Sequence, residues 1–344
     1  MSAAAHYAYL HSRVSVMAGR LFSPLQLEGM IQLVSGSESE IVAAAGIAGL
    51  PVDELSGTPT SLEQRLITLL LADFVVLVRA LSGTARDFLI YWAYRFELSN
   101  LKTILRGKLT GQNLTAIRNQ LVDMGPFARL PIEDLLRTED VAEMLRRLEG
   151  TPFVDIARQA RRIYEENHEL FALDAAIDRQ YFAGLSKRAR EAEGAQGGPL
   201  HRLVGSIIDR LNLLWLMRYR YAYDLSPAEA YYLLIPASYQ LSSARLLQLS
   251  QLGSVEEVLR NLPEPYLSLL KGATTTSQAT QILERETWRL AEATLRRSAF
   301  NIGRVFAYLL LREKDLRHLR AVIRGRRMKL EHGQLRDAIG VAPP

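Results

Sequence analysis

A chain of 344 residues without a single cysteine cannot use disulfides, thiolate zinc sites or cysteine nucleophiles, and its 48% hydrophobic and 23% charged residues put it in the globular class. The length allows two or three domains, each with its own core. The net charge of +5 is concentrated: from Arg312 to Asp337 nine Lys or Arg face four acids, so the rest of the chain is balanced. A local basic patch of this kind is either a solvated helix face or a surface for an acidic partner.

Helical patterns follow one another from the start. The first is predicted from Ala4 to Leu21, ended by Ser23-Pro24, and a second from Leu25 to Val34 ends at the Ser35-Gly36-Ser37 turn. Residues 46 to 60, rich in Gly and Pro, read as a loop around a short helix. Leu62 to Leu81 is a strongly apolar helix with Ser61 as N-cap, expected in the middle of a bundle. The apolar tract from Leu66 to Val78 is interrupted by Asp73 and is too short to span a membrane, and no secretory signal pattern opens the chain. Membrane contact is therefore expected only through a partner.

Three stretches of twelve residues then resemble one another: ELSNLKTILRGK from Glu97, DRLNLLWLMRYR from Asp209 and DLRHLRAVIRGR from Asp315. Each opens with an acid. The fourth position is Asn100, Asn212 or His318, the fifth Leu101, Leu213 or Leu319, the tenth Arg106, Arg218 or Arg324, and the twelfth a base. Gly107 and Gly325 are predicted to stop their helices, whereas Tyr219 in the second copy lets that helix run on. At 100° per residue the acid and the tenth-position Arg lie on opposite faces. Those arginines either bond neighbouring helices or face a partner, and Tyr219, Tyr221, Tyr223, Tyr231 and Tyr232 pose the same choice.

Asp155 to Arg190 and Thr280 to Leu311 are each predicted as one unbroken helix, with a flexible linker at Gly194 to Pro199. No strand alternation persists, and the fold class is all-α. The similarity of the first two copies extends for about 50 residues beyond the core. In addition, Leu55–Pro59 echoes Leu148–Pro152, and the stretch from Gly19 echoes that from Gly107. The expected units are 62–154, 155–270, and 271–344 completed by 1–61, closed in a ring.

The sequence carries little recognisable chemistry. GxGxxG, HExxH, GxSxG and a complete phosphate loop are missing. Ser99 and Lys102 match the SxxK spacing, but the other copies do not repeat it, and Gly107-Lys108 follows a helix instead of a strand. The six histidines include no pair at helical ligand spacing. No catalytic, metal or cofactor residue is therefore assigned.

The ordered set YLHSRVSVMAGRL, FELSNLKTILRGK, DRQYF, DRLNLLWLMRYR and REKDLRHLRAVIRGR resembles the C subunit of the archaeal and bacterial A/V-type rotary ATPases, a relative of the eukaryotic V-ATPase d subunit. The resemblance implies a non-catalytic, threefold pseudosymmetric helical funnel on the cytoplasmic face of the membrane rotor ring, receiving the central shaft. The implied partners are shaft and ring, with no small-molecule substrate. His318 departs from the Asn usual in that family. Arg106, Arg218, Arg320, Arg324, Arg326 and Arg327 are the partner-interface candidates; Glu97, Asn100, Leu101, Asp209, Asn212, Leu213, Asp315, His318 and Leu319 are structural candidates. The alternative is a helical adaptor or nucleic-acid-binding protein that uses the basic C-terminal segment.

Overall fold

The computed structural model describes residues 3–47, 59–167, 170–194, 197–237 and 239–340, and among these there are helices and no strands. In chain order the helices are α1 (Ala3–Ala18), α2 (Pro24–Gln32), α3 (Glu38–Ala45), α4 (Pro59–Arg79), α5 (Gly83–Leu109), α6 (Leu114–Arg118), α7 (Ile132–Arg137), α8 (Val141–Arg147) and α9 (Val154–Asn167). They continue with α10 (Leu170–Glu193), α11 (Pro199–Tyr221), α12 (Pro227–Leu233), α13 (Ser243–Ser250), α14 (Val255–Arg260), α15 (Tyr266–Leu269), α16 (Thr276–Arg297), α17 (Ile302–Arg327) and α18 (His332–Ile339). Two compact units contain them. One comprises Met1–Leu81 with Trp288–Pro344, the other Ser82–Thr287.

In the first unit the central helix is α17, whose residues from Val305 to Arg312 are all buried. A helix apolar all round must be covered on every side. The apolar α4, expected in that place, buries Leu66, Leu70, Phe74 and Leu77 while Thr68 and Ala72 stay exposed, so it flanks α17 instead. Asp73 accepts hydrogen bonds from Tyr308 Oη (2.7 Å) and Arg312 Nε (3.2 Å), giving the buried guanidinium its counter-charge. Since α4 begins at Pro59, Ser61 lies inside its first turn and is not its N-cap. Residues 48–58, where the loop and part of the Leu55 echo fall, lie outside the described residues.

In the second unit α10 packs against α5, α9 and α11. The Tyr91 and Tyr181 rings stack at 5.4 Å, and Tyr181 donates to the Trp92 carbonyl oxygen at 2.9 Å. Gly184 makes this approach possible, because a Cβ there would stand 2.2 Å from the Tyr91 hydroxyl oxygen.

Both long predicted helices are divided. Asp155 to Arg190 spans α9 and α10, a hairpin in which Ala172 and Ala176 meet Ile163. Thr280 to Leu311 breaks between α16 and α17, where Phe300 takes a left-handed backbone (φ 53°) and Asn301 Oδ1 accepts the Arg304 N–H at 3.1 Å. Beside the predicted linker, of which residues 195 and 196 lie outside the described residues, the Glu193 carboxylate accepts the backbone N–H groups of Leu200 (2.7 Å) and His201 (2.8 Å) at the start of α11.

Nor do the repeat glycines stop their helices. α5 continues to Leu109 and α17 to Arg327, while α11 ends at Tyr221, no further along than the others. Gly107 and Gly325 are buried contact points: an added Cβ would lie 2.5 Å from Ile117 of α6 and 2.9 Å from Leu335 of α18, respectively. Gly107→Ala should therefore lower stability by about 1–3 kcal/mol through overpacking. Gly29→Ala, inside α2 with nothing within 4 Å of the new methyl, should raise it by about 0.5–1 kcal/mol. Urea denaturation of the two variants checks both signs.

Candidate interaction surface and the repeated helix clamp

The first, fourth, fifth, eighth and twelfth positions of the repeat share one helical face, since eleven steps of 100° return to within about 20° of the start. Leu101, Leu213 and Leu319 are fully buried on that face. Glu97, Asp209 and Asp315 are also buried, at 1%, 1% and 2% exposure, and their burial needs hydrogen-bond donors.

The donors come from an equivalent place each time. Glu97 Oε1 accepts the N–H groups of Arg129 (2.5 Å) and Leu130 (2.8 Å). Asp209 Oδ2 accepts those of Gln240 (2.8 Å) and Leu241 (3.2 Å), with the Tyr266 hydroxyl added at 2.8 Å. Asp315 Oδ2 accepts that of Phe22 at 2.8 Å. Leu130, Leu241 and Phe22 each stand two residues before a short helix, α7, α13 and α2 in turn.

The twelfth-position base serves the other end of the same short helix. Lys108 Nζ donates to the carbonyl oxygens of Leu136 (3.0 Å) and Thr138, at the end of α7. Arg220 Nε donates to that of Ser250 (2.8 Å), the last residue of α13, and Arg326 Nε to that of Gly36, beyond α2. Eleven residues of helix rise about 16 Å, enough to reach both ends of a helix of six to nine residues. Acid at the N-terminal end and base at the C-terminal end also match the dipole of the helix they hold. Of these bases, Lys108 and Arg220 were passed over as site candidates in the sequence, although the 20° coincidence with the acid marks them.

Position four adds a second clip in two copies. Asn100 exchanges hydrogen bonds with the Val122 N–H and C=O, both 2.8 Å, and Asn212 does so with Ile235 at 2.8 and 3.2 Å. His318 makes neither bond. Its two ring nitrogens are buried without partners, and the ring stands edge-on to Trp288 at 5.5 Å. Burial, aided by the positive charges of Lys314 and Arg317, pushes its pKa down to about 4.

Phe22 in the place of Leu130 also corrects the register of the N-terminal echo. The sequence echo aligned Gly19 with Gly107, whereas the hydrogen bonds align the start of α2 with that of α7.

The six partner-interface candidates are all engaged within the chain. Arg106 pairs with Asp174, its side chain 56% exposed, and the exposed Arg218 stacks over Tyr223 at 5.1 Å. Arg320 and Arg324 share Glu63, the latter at 3.7 Å. Arg327 binds both Glu38 oxygens at 2.7 and 3.1 Å, while Arg326 lies 3.7 Å from the same carboxylate. Seven of the nine bases between Arg312 and Asp337 thus meet an acid of their own unit. Charge counting could not see this, because Glu28, Glu38, Glu63 and Asp73 lie far away in sequence.

Other sequence signals resolve locally. Lys102 is bound to Asp178 at 2.7 Å, so the SxxK match does not form a serine–lysine pair. Tyr219 is buried, with its ring edge-on to Phe171 at 5.2 Å and stacked on Trp215 at 6.2 Å, while Tyr223 and Tyr232 remain exposed. Among the described residues no group of three His, Asp or Glu could hold a metal ion, and no helix is long and apolar enough to cross a membrane.

These features define a helical repeat protein whose repeated polar residues bind its own backbone. Residues 10–338 match the family model described as ATP synthase (C/AC39) subunit, and the chain belongs to that family. It is similar to the A-type ATP synthase C subunit of Methanocaldococcus jannaschii, 25% identical over 97% of this chain and 86% of the relative. The protein of that name from Halobacterium salinarum is 25% identical over 98% and 97%, and that from Methanothermobacter thermautotrophicus 24% over 93% and 84%.

Two outcomes test the clamp. Burial raises the Asp315 pKa to about 6 against the Phe22 hydrogen bond and nearby cations, which disfavours the ionised form by about 3 kcal/mol. A raised folded-state value means stability that is present at low pH and lost as pH rises through 6. The stability advantage of Asp315→Asn over the wild type should therefore be about 1–2 kcal/mol larger at pH 7.5 than at pH 5, and a pH-independent gap would contradict the assignment. Asn212→Ala strands the N–H and C=O of Ile235 in the core and should cost about 2–4 kcal/mol in urea melts.

Proposed function

We propose that the chain is a non-catalytic central-stalk subunit of a rotary ATP synthase, linking the rotating shaft to the membrane rotor ring and transmitting torque between them. The observation that carries this reading is the helix clamp formed three times, its third copy completed by the N-terminal segment through Asp315 and Phe22. Three like stations, with the chain ends meeting in one of them, suit a pseudosymmetric funnel about a rotation axis. Torque transfer asks for stiffness, and each station fixes a long helix to a short one at both ends. The family match and the names of the archaeal relatives give the assembly to which such a part belongs. On this reading the chain lies on the cytoplasmic face of the membrane.

The arginines then divide by role. Arg320, Arg326 and Arg327 hold the first unit together through Glu63 and Glu38, while Arg106 and Arg218 keep exposed side chains for a partner. Because seven of its nine bases already meet acids of the same unit, the C-terminal segment gives less support to a nucleic-acid reading.

The full chain should bind detergent-solubilised rotor ring and the shaft proteins of the same organism. Binding to neither, together with tight binding to nucleic acid, would sink the reading. Arg218→Glu should weaken shaft or ring capture with an unchanged melting temperature, whereas Arg327→Glu, placed against Glu38, should lower the melting temperature by several degrees.

A further inference from the structure

The first unit carries a surface without carboxylates. No Asp or Glu precedes Glu28, and none lies between Glu292 and Glu313, so α1, the α16–α17 turn and α17 as far as Arg312 have only basic charges. These segments meet: the His11 and Phe300 rings are 4.8 Å apart, and Arg304 donates to Ser15 Oγ at 3.0 Å. Across the outward half of α1, exposed Ala8, Ser12 and Ser15 join Phe300 to Tyr9 and Val16. The three larger side chains are 46%, 60% and 63% exposed, respectively. Arg296 and Arg297, four and three residues before Phe300 at the end of α16, are both exposed.

Phe300 is also held at φ 53°, a left-handed conformation that a bulky residue adopts only at a cost. The start of α5 takes a similar backbone at its first residue with Gly83 (φ 56°) and carries no aromatic there. An exposed ring at a strained turn tip, flanked by arginines and adjoining an uncharged helix face, has the composition of a layer between water and lipid: aromatics enter the headgroup zone while guanidinium groups meet phosphates.

We propose that this surface rests on an anionic phospholipid headgroup layer, with Phe300, Tyr9 and Val16 entering it and Arg296 and Arg297 binding lipid phosphates. It differs from the expectation that the membrane is met only through the ring. It requires no spanning helix and does not rest on the rotor reading, so ring capture and lipid binding can fail separately.

The test is sedimentation of the full chain with vesicles of about one-third phosphatidylglycerol in phosphatidylcholine, against phosphatidylcholine alone, at low and high salt. The chain should bind the anionic vesicles only, less so in high salt. Phe300→Gly removes the ring and the backbone strain together. It should melt a few degrees higher yet bind the anionic vesicles about tenfold more weakly. The Arg296→Glu, Arg297→Glu double variant should bind them more weakly still. Equal sedimentation with both vesicle types, or Phe300→Gly binding as the wild type does, overturns the proposal. Unchanged vesicle binding with loss of the Phe300→Gly chain from the assembled synthase would give the surface to a protein partner instead.

Discussion

A carboxylate buried to within 2% of complete enclosure is the constraint around which each repeat is built. Removing such a group from water is unfavourable unless donors replace the lost solvent, and here they are backbone N–H groups at the entrance to a short helix. Once the acid has fixed that entrance, the base eleven residues on reaches the exit, and the short helix lies along the long one. The apolar face between them, with Leu101, Leu213 and Leu319 at its middle, is then closed from water.

The third copy obeys the same constraint with different chain connectivity. Asp315 finds its donor 293 residues away at Phe22, one of the hydrogen bonds and ion pairs that join the N-terminal and C-terminal segments into one compact unit. It also lacks the second clip, since an imidazole cannot offer the donor and acceptor of one amide to a single peptide. His318 stays neutral under Trp288, and this unit carries ion pairs from α2, α3 and α4 to the C-terminal bases through Glu28, Glu38 and Glu63.

How much could be read in advance differs from element to element. All-helical structure was evident, because turn residues separate runs of helical period and no alternation competes with them. Gly107 looked like a stop because glycine often follows a helix, yet only the neighbouring Ile117 shows it as a place of close approach. The break at Phe300 was hidden because left-handed backbone is rarely taken by a bulky residue. The C-terminal bases pointed to an acidic partner, and seven of the nine also meet acids of their own unit, which a count of charges along the chain does not reveal.

By itself the sequence determined the all-helical class, the threefold repetition and the face each repeated residue occupies, because these follow from a period of 3.6 and from spacing along one chain. Tertiary structure alone decided what those faces meet. Whether an acid receives a backbone N–H, whether an Arg finds Glu38 or open water, and which long helix lies innermost depend on residues tens to hundreds of positions apart. Their approach is set by packing, to which the local pattern of side chains carries no pointer.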